Sequence, residues 1–194
     1  EQHNADVSAE RERVAVYRFS RDQEVSDIQL LVKKRLLSAL RRREQIRNST
    51  QIYRLVHAEN DDLPGIRIDI WGAVATVVFA EQILLQFQES ICTELPLILG
   101  ELEFIYGHIR SDAGQNQTLG CVWSRTNIES PQRHVAQELG CRFFLEPQRS
   151  PDAGVFCDMR GLRQWLQPYW KDKQILNLFC FTGAFSVHAL SHGA

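Results

Sequence analysis

The sequence predicts an α/β protein in which a basic helix and a small α+β domain are followed, near residue 140, by the start of a second α/β domain. Three observations support this prediction. Residues 24–46 carry apolar side chains every three to four positions, as one face of a helix does. Residues 66–70 and 73–79 form a predicted β-hairpin. An apolar run at 175–179 is followed by a glycine and then by a second helical pattern, so a strand–turn–helix unit is expected there.

The overall composition is that of an ordinary soluble globular protein, with 44% hydrophobic and 24% charged residues among 194. With a net charge of −2, the chain as a whole does not attract nucleic acid electrostatically. Binding to nucleic acid would therefore need a local basic surface. No window resembles a membrane span or a signal peptide. Five widely spaced cysteines without a C-x-x-C pair argue against a zinc or other metal site and against disulfides, and they fit a reducing cytoplasm: Cys92, Cys121, Cys141, Cys157 and Cys180.

The first third of the chain contains its most basic segment. Residues 1–12 are polar and are expected to be frayed, and residues 14–19 alternate as in a short strand. The predicted helix at 24–46 and its end carry basic side chains on the face opposite the apolar one: Lys33, Lys34, Arg41, Arg42, Arg43 and Arg47. These side chains form either a solvated helix face or a stripe that binds phosphates, as an RNA-binding surface would require.

The middle of the chain reads as alternating strands and turns. A strand at 51–57 leads to turn residues in which Pro64 and Gly65 suit the centre of a type II turn. The hairpin comes next, then a helix at 81–95 that Pro96 is expected to end, and a strand at 102–109.

The pattern is weak in the polar stretch from residue 111 to 137 and becomes clear again at a strand over 141–145. After a loop, Asp158 can cap a helix that runs to Pro168. The apolar run at 175–179 predicts a buried parallel strand, because both of its faces are apolar. The turn at Gly183 and the helix after it could offer backbone N–H groups to a nucleotide-like ligand. One glycine where three are expected makes a dinucleotide-binding oxidoreductase a poor third interpretation.

Three stretches together resemble one family. Tyr53-Arg54-Leu55-Val56-His57-Ala58-Glu59-Asn60-Asp61-Asp62-Leu63-Pro64-Gly65 with Asp69 is similar to its central hairpin signature. Gly154-Val155-Phe156-Cys157-Asp158-Met159-Arg160 resembles its Gly-aromatic-aromatic-Leu-Asp-x-Arg segment, and residues 176–187 resemble its first S-adenosylmethionine motif. The family comprises the bacterial 23S ribosomal RNA (cytosine-5) methyltransferases with an N-terminal PUA domain. The resemblance extends in order from about residue 14 to residue 194.

The resemblance implies three regions and a cofactor. Residues 1–23 would be the end of a PUA domain, 24–139 a basic helix with a central RNA-interacting α+β domain, and 140–194 the start of a Rossmann-like class I methyltransferase domain. S-adenosyl-L-methionine would be the cofactor, Phe156 would supply an apolar wall, and Arg160 would pair with the methionine carboxylate. The implied cofactor-binding residues are Phe156, Asp158, Arg160, Asn177, Phe179, Cys180, Phe181, Thr182 and Gly183. Without the resemblance, Asp158 and Arg160 read as a helix cap and an exposed charge.

The chain departs from the family at two places. Asp152-Ala153 stands where the family has Lys-Thr, and Gly183-Ala184 stands where it has Gly-Gly. Methylation at carbon-5 of cytosine requires a cysteine thiolate that attacks carbon-6. The resemblance places that cysteine beyond residue 194, and Cys157 and Cys180 are expected to be packing residues.

Two functions follow as hypotheses. The first is a cytoplasmic, S-adenosylmethionine-dependent enzyme that methylates large-subunit ribosomal RNA to form 5-methylcytosine. The second is a non-catalytic RNA-binding or interaction protein that keeps the scaffold of a methyltransferase, which the exchange of Lys-Thr for Asp152-Ala153 favours.

Overall fold

In a computed structural model of the protein, the structure describes residues 27–110, 117–127 and 129–194. The strand expected at 14–19, the frayed start and the whole 1–23 region lie outside these residues. The described chain is a mixed α/β structure, as predicted, with one large sheet, one small sheet and helices packed on them. No helix within the described ranges is both long enough and apolar enough to cross a membrane.

A five-stranded sheet organises the first part of the chain. Its strands lie in chain order, and neighbours are antiparallel except for the third and fourth, which are parallel. The strands are β1 (Ile52–His57), β2 (Ile66–Trp71), β3 (Val74–Phe79), β4 (Phe104–Ile109) and β5 (Gln117–Ser124). The predicted strand at 51–57, the hairpin and the strand at 102–109 are confirmed. Gly65 has φ +71, the left-handed conformation that the third residue of a type II turn requires.

The basic helix is α1, Ile28–Arg42, and the short helix α2, Glu44–Arg47, follows it. Asp27 caps α1, since its Oδ1 accepts hydrogen bonds from the backbone N–H groups of Gln29 (2.9 Å) and Leu30 (3.2 Å). The apolar face of α1 is buried against the sheet through Leu31, Val32, Leu36 and Ala39. Within the described residues the helical pattern predicted for 24–46 is confirmed, with a break at residue 43 between the two helices, whereas residues 24–26 lie outside the described ranges.

The connection between β3 and β4 differs from its prediction. A 3-10 helix at Gln82–Phe87 leads into α3, Gln88–Ile98, and Pro96 lies inside α3 instead of ending it. Proline lacks an N–H and so removes one backbone hydrogen bond. This loss is tolerated because Pro96 is in the last turn, where Leu99 N–H still donates to the Leu95 carbonyl at 2.9 Å.

The second part of the chain contains a small antiparallel sheet and two helices. The strands are β6 (His134–Glu138) and β7 (Cys141–Leu145), and the helices are α4 (Arg160–Trp170) and α5 (Ala184–Ser191). The predicted strand at 141–145 and the helix after Gly183 are confirmed. The expected boundary at residue 140 falls in the turn of the β6–β7 hairpin, so we propose that the second domain begins before His134.

Two predictions for the second part are wrong. Asp158 does not cap α4, because it lies within a 3-10 turn, Cys157–Met159, that runs directly into the helix, and α4 continues past Pro168 to Trp170. Residues 175–179 form no strand, and all four of their apolar residues are exposed. A parallel strand forms only where neighbouring strands exchange hydrogen bonds with it, and no strand in the described ranges lies beside this segment.

Two apolar cores hold the described chain together. The first lies between the large sheet and the helices α1 and α3. The second joins residues of the large sheet, such as Ile52 and Trp71, to the small sheet and to the segment before α4 through Phe143, Val155 and Cys157. Because Ile52 and Trp71 belong to this second core, the large sheet packs directly against the region that carries the predicted cofactor motifs.

Candidate cofactor-binding site

The two segments predicted to bind the cofactor, residues 154–160 and 177–183, lie against each other. The rings of Phe156 and Phe181 are tilted by 36° with centroids 5.0 Å apart, a favourable aromatic arrangement. The Thr182 hydroxyl donates a hydrogen bond to the Gly154 carbonyl. Residues about 25 positions apart in the sequence thus form one surface.

Gly183 supplies the turn that connects this surface to α5. Its φ is +81, which glycine adopts without the steric cost that a Cβ carries. A Cβ built at Gly183 would meet no atom within 4 Å, so the glycine is needed for its backbone conformation and the space in front of it is open. An open glycine turn at a helix start fits the close approach of a ligand to the backbone.

Three aromatic side chains of the two segments are exposed on this surface. Phe156 is 45% exposed and Phe181 is 58% exposed, so the fold leaves about half of each residue uncovered. Phe179 is fully exposed, and both Phe179 and Phe181 have positive φ, at +55 and +53. Exposed rings beside an open turn can pack against the flat or apolar parts of a ligand.

The polar residues of the two segments have different environments. Asn177 Nδ2 donates to Ser186 Oγ at 2.9 Å, which ties the loop to α5. Cys180 is exposed, with its Sγ 3.8 Å from the Phe181 carbonyl, and Asp158 is exposed as well. Cys180 therefore does not pack in a core, contrary to expectation.

Arg160 is half-buried and faces the large sheet. Its Nη1 donates to the Ile52 carbonyl at 3.2 Å, so at least one of its donors joins α4 to β1. The pairing of Arg160 with a methionine carboxylate stays a prediction.

A buried ion pair behind the site was missed from the sequence. Arg163 on α4 donates from Nε and Nη2 to the two carboxylate oxygens of Glu138, at 2.7 and 2.9 Å. The sequence did carry a signal, since Arg163 shares the inward face of α4 with Leu166 and Trp170 at helical spacing. A charge on an otherwise apolar helix face indicates a buried partner.

Asp152, the anion at a position where the family has lysine, has a partner within the fold. Arg67 Nη2 donates to Asp152 Oδ1 at 3.1 Å. The surrounding loop is fixed to the large sheet, because Thr76 Oγ1 donates to the Pro151 carbonyl at 3.1 Å and His108 Nε2 lies 2.8 Å from the Pro147 carbonyl. Burial lowers the pKa of His108, so its imidazole is neutral and donates this bond.

Asp69, part of the hairpin signature, is the centre of a second buried charge cluster. It contacts Arg54 Nε at 2.7 Å and Arg67 Nε at 3.1 Å. Burial raises the pKa of Asp69 and outweighs the opposing effect of the two arginines. Cys157 is buried, as expected of a packing residue, and burial raises the pKa of its thiol to about 12, which disfavours the thiolate that a nucleophile needs.

The predicted RNA-binding side chains have three kinds of environment. Lys33 pairs with Glu94 at 3.3 Å, and Arg42 and Arg43 both pair with the buried Asp61. Arg47 lies beside the Tyr53 hydroxyl: burial raises the pKa of Tyr53, and the charge of Arg47 partly offsets this. Lys34 and Arg41 are exposed and have no ion pair among the described residues. They are seven positions apart, on one side of α1.

The described residues contain no group of three or more His, Cys, Asp or Glu side chains arranged to hold a metal ion.

The known proteins to which the chain is similar are described as methyltransferases. Residues 113–194 match the family described as S-adenosylmethionine-dependent methyltransferase. The chain is 27% identical over 182 residues to ribosomal RNA large subunit methyltransferase I of Alteromonas mediterranea, a match that covers 94% of this chain and 46% of the relative. The corresponding protein of Tolumonas auensis is 30% identical over 191 residues, with the same coverage. Ribosomal RNA large subunit methyltransferase K/L of Hahella chejuensis is 43% identical over 72 residues, which are 37% of this chain and 10% of that protein.

Solved structures show the same fold. The crystal structure of SMU.776, described as a methyltransferase and complexed with SAH, superposes with a TM-score of 0.74 at 24% identity, covering 89% of this chain and 44% of that one. A second structure, of a SAM-dependent methyltransferase from Streptococcus mutans, gives the same values. The chain spans about half the length of the curated relatives and solved structures that it matches.

Proposed function

We propose that the protein is an S-adenosylmethionine-dependent methyltransferase that acts on large-subunit ribosomal RNA. One observation carries the proposal: the two motif segments, which lie within the 113–194 region that matches the methyltransferase family, pack into one surface through Phe156–Phe181 and Thr182–Gly154. The names of the relatives support ribosomal RNA as the substrate.

The residues at this surface fit the proposed cofactor. Its apolar wall of Phe156 and Phe181 and the open turn at Gly183 suit a ligand with a flat base and a chain that approaches the backbone. The cofactor supplies a methyl group bound to a positively charged sulfur, which a nucleophile on RNA can accept. Asn177 holds the loop to α5 and so keeps the turn in place, and Thr182 does the same toward Gly154. Asp158, Arg160, Phe179 and Cys180 complete the proposed contact set.

The RNA-binding surface is proposed on the exposed side of α1 and on the segment that follows it, through α2. All six predicted cations belong to the proposal, and exposure without an internal ion pair favours Lys34 and Arg41 for direct phosphate contact. Lys33, Arg42 and Arg43 are joined to carboxylates of the fold, so they contribute less free charge to a phosphate.

The product is proposed to be 5-methylcytosine, on the strength of the family resemblance. This reaction needs a cysteine thiolate, and the cysteines described here are not suited to supply it. Burial raises the pKa of Cys92 to about 11 and also raises that of Cys121. Cys141 and Cys157 are buried, and Cys180 lies in the proposed cofactor loop. The nucleophile is therefore proposed to lie outside the described residues.

The proposal is tested with the full-length protein. Calorimetry should detect binding of S-adenosylmethionine, and ribosomal RNA lacking the modification should gain a methyl group that mass spectrometry of the nucleosides identifies as 5-methylcytidine. A different methylated nucleoside would keep the enzyme class and refute the product. RNA binding with no cofactor binding and no methyl transfer would favour the non-catalytic alternative.

A further inference from the structure

Three charged or polar side chains meet in the interior behind the proposed cofactor site. Glu138 comes from β6, Arg163 from α4 and His188 from α5, and each is at most 1% exposed. Arg163 and Glu138 form a two-pronged pair, Nε to Oε1 at 2.7 Å and Nη2 to Oε2 at 2.9 Å. His188 Nε2 lies 3.3 Å from Glu138 Oε1. One carboxylate therefore contacts both helices that follow the two motif segments.

Arg163 also contacts the proposed cofactor site, through the backbone carbonyl of Phe156. Its Nη2 carries two hydrogens; besides Glu138 it donates to the Phe156 carbonyl, again at 2.9 Å. Phe156 is the residue whose ring packs on Phe181. The planar guanidinium fixes the direction of all three hydrogen bonds at once, which a single ammonium group does not.

His188 connects the same cluster to the helix after the Gly183 turn. It lies five residues beyond Gly183, and its Nδ1 is 3.3 Å from Cys141 Sγ on β7. Both ring nitrogens of His188 thus face the small sheet, which presents Glu138 on one strand and Cys141 on the other. The small sheet holds α4 and α5 in one relative orientation.

We propose that Glu138 and Arg163 are positioning residues for cofactor binding: they hold Phe156 and the Gly183 turn so that both face the same ligand. This role rests on the proposed function. A buried ion pair is a poor source of stability, because desolvation of two charges cancels much of their attraction, and apolar residues of similar size often serve as well. Orientation of the Phe156 carbonyl is a task that an apolar pair does not perform.

The first test separates positioning from stability. In the double variant Glu138→Met/Arg163→Met both charges are removed together, so no unpaired charge stays buried. We expect the unfolding temperature to change by less than about 5 °C. The affinity for S-adenosyl-L-homocysteine, measured by calorimetry on the full-length protein, is expected to fall about tenfold with the loss of the charge-assisted bond to Phe156. The matched control is Arg133→Met/Glu146→Met, a partly exposed pair at 3.2 Å whose side chains are 69% and 30% exposed, for which we expect unchanged affinity.

A second variant keeps the charges. Arg163→Lys retains the cation but lacks the planar fork, so we expect weaker cofactor binding and a higher KM for the methyl donor, with kcat at saturating donor near that of the unmodified protein. Affinity and KM that match the unmodified protein in Arg163→Lys, or in a folded double variant, would overturn the positioning role. If the unmodified protein bound neither cofactor nor product, the proposed function would be overturned, and this role with it.

Discussion

The buried carboxylate of Asp61 pairs with two of the arginines at the end of α1. It is 1% exposed and accepts hydrogen bonds from Arg42 at 2.8 Å, from Arg43 at 2.5 Å and from the His57 N–H at 2.6 Å. Burial raises the pKa of Asp61, but the hydrogen bonds from Arg43 and His57 and the nearby positive charges outweigh it and hold the pKa below its usual value. Arg42 and Arg43, for which the sequence left open a solvated face or a phosphate-binding stripe, therefore join the end of α1 to the 3-10 turn at Ala58–Asp61.

Removal of the Asp61 charge should destabilise the fold. Asp61→Asn leaves Arg43 half-buried without its counter-ion, so we expect a loss of about 3 kcal/mol in the free energy of unfolding, measured by urea denaturation at pH 7. Asp62→Asn is the matched control: Asp62 is 57% exposed in its side chain and pairs with Arg35 at 3.4 Å, so its loss should cost less than about 0.5 kcal/mol. Equal effects of the two changes would contradict the role given to Asp61.

The same carboxylate predicts a pH dependence. Because the pKa of Asp61 is lower in the folded than in the unfolded state, its stabilisation is complete above the unfolded value, about 4. The stabilisation is lost as the pH falls through the lower, folded value. The unmodified protein should therefore lose more stability than Asp61→Asn between about pH 5 and pH 2. Parallel stability profiles for the two proteins in acid would contradict this prediction.

Gly183 and Gly161 have the same open space around them but different backbone conformations, so alanine substitutions at the two positions can be compared. Gly183 has φ +81 with open space around it, and Gly161 is helical with equally open space. Gly183→Ala should destabilise by about 1 kcal/mol, because alanine is strained in the left-handed region. Gly161→Ala should stabilise by about 0.5–1 kcal/mol, because it lowers the entropy of the unfolded chain. Denaturant titrations of both variants check the opposite signs; a shared sign would show that space and not φ decides.

At the scale of elements, the outward side of α1 offers the clearest test of RNA binding. Lys34 and Arg41 are exposed on one side of the helix, outside the internal ion pairs. Lys34→Glu/Arg41→Glu should weaken RNA binding and lower the slope of log K against log salt by about 2, as two phosphate contacts are lost. Arg142→Glu/Lys171→Glu makes the same change in net charge at other exposed positions and should leave the slope near its original value. A common slope in both variants would assign α1 to the solvated-face interpretation.

The elements also show what the sequence could predict. β1, the hairpin and β7 were found because each has local apolar alternation or turn residues such as Pro64 and Gly65. β5 was missed because it lies at the edge of the sheet and none of its residues is fully buried, so no apolar pattern marks it. The failed strand at 175–179 and the missed pair of Glu138 and Arg163 have one cause. A strand needs a neighbouring strand, and a buried charge needs a partner, and in both cases that partner is distant in the sequence. Glu138 and Arg163 are 25 residues apart, so a local pattern of residues does not show that they meet.

At the scale of the whole molecule, a short chain of hydrogen bonds joins the large sheet to the loop before the cofactor segments. Trp71 Nε1 donates to Thr76 Oγ1 at 3.0 Å, and this hydroxyl donates to the Pro151 carbonyl at 3.1 Å, all within the interior. The two cores meet here, because Trp71 belongs to the second core and its neighbour Ile70 to the first. The described chain is therefore expected to unfold as one cooperative unit.

Thr76→Val tests this coupling. Valine has the shape of threonine but leaves the Trp71 N–H and the Pro151 carbonyl buried without partners, so we expect a loss of about 3 kcal/mol. In Thr76→Val, the unfolding midpoints measured by tryptophan fluorescence and by far-UV circular dichroism should both shift to the same lower denaturant concentration. Thr118→Val removes two exposed hydrogen bonds, one donated to the Gln148 carbonyl and one accepted from the Gly120 N–H, both at 3.2 Å, and should change stability by less than about 0.5 kcal/mol. Separate transitions in the two signals would show that the two cores unfold independently.

The division of the cores has a consequence for synthesis on the ribosome. The buried members of the first core lie between Leu31 and Ile105, whereas the second core extends from Ile52 to Ala184. The first core can therefore close once β4 has left the exit tunnel, while the later members of the second core, from Ala136 to Ala184, have not yet emerged. During that interval the nascent chain presents a folded sheet with one apolar side uncovered, onto which the later segments dock as they emerge.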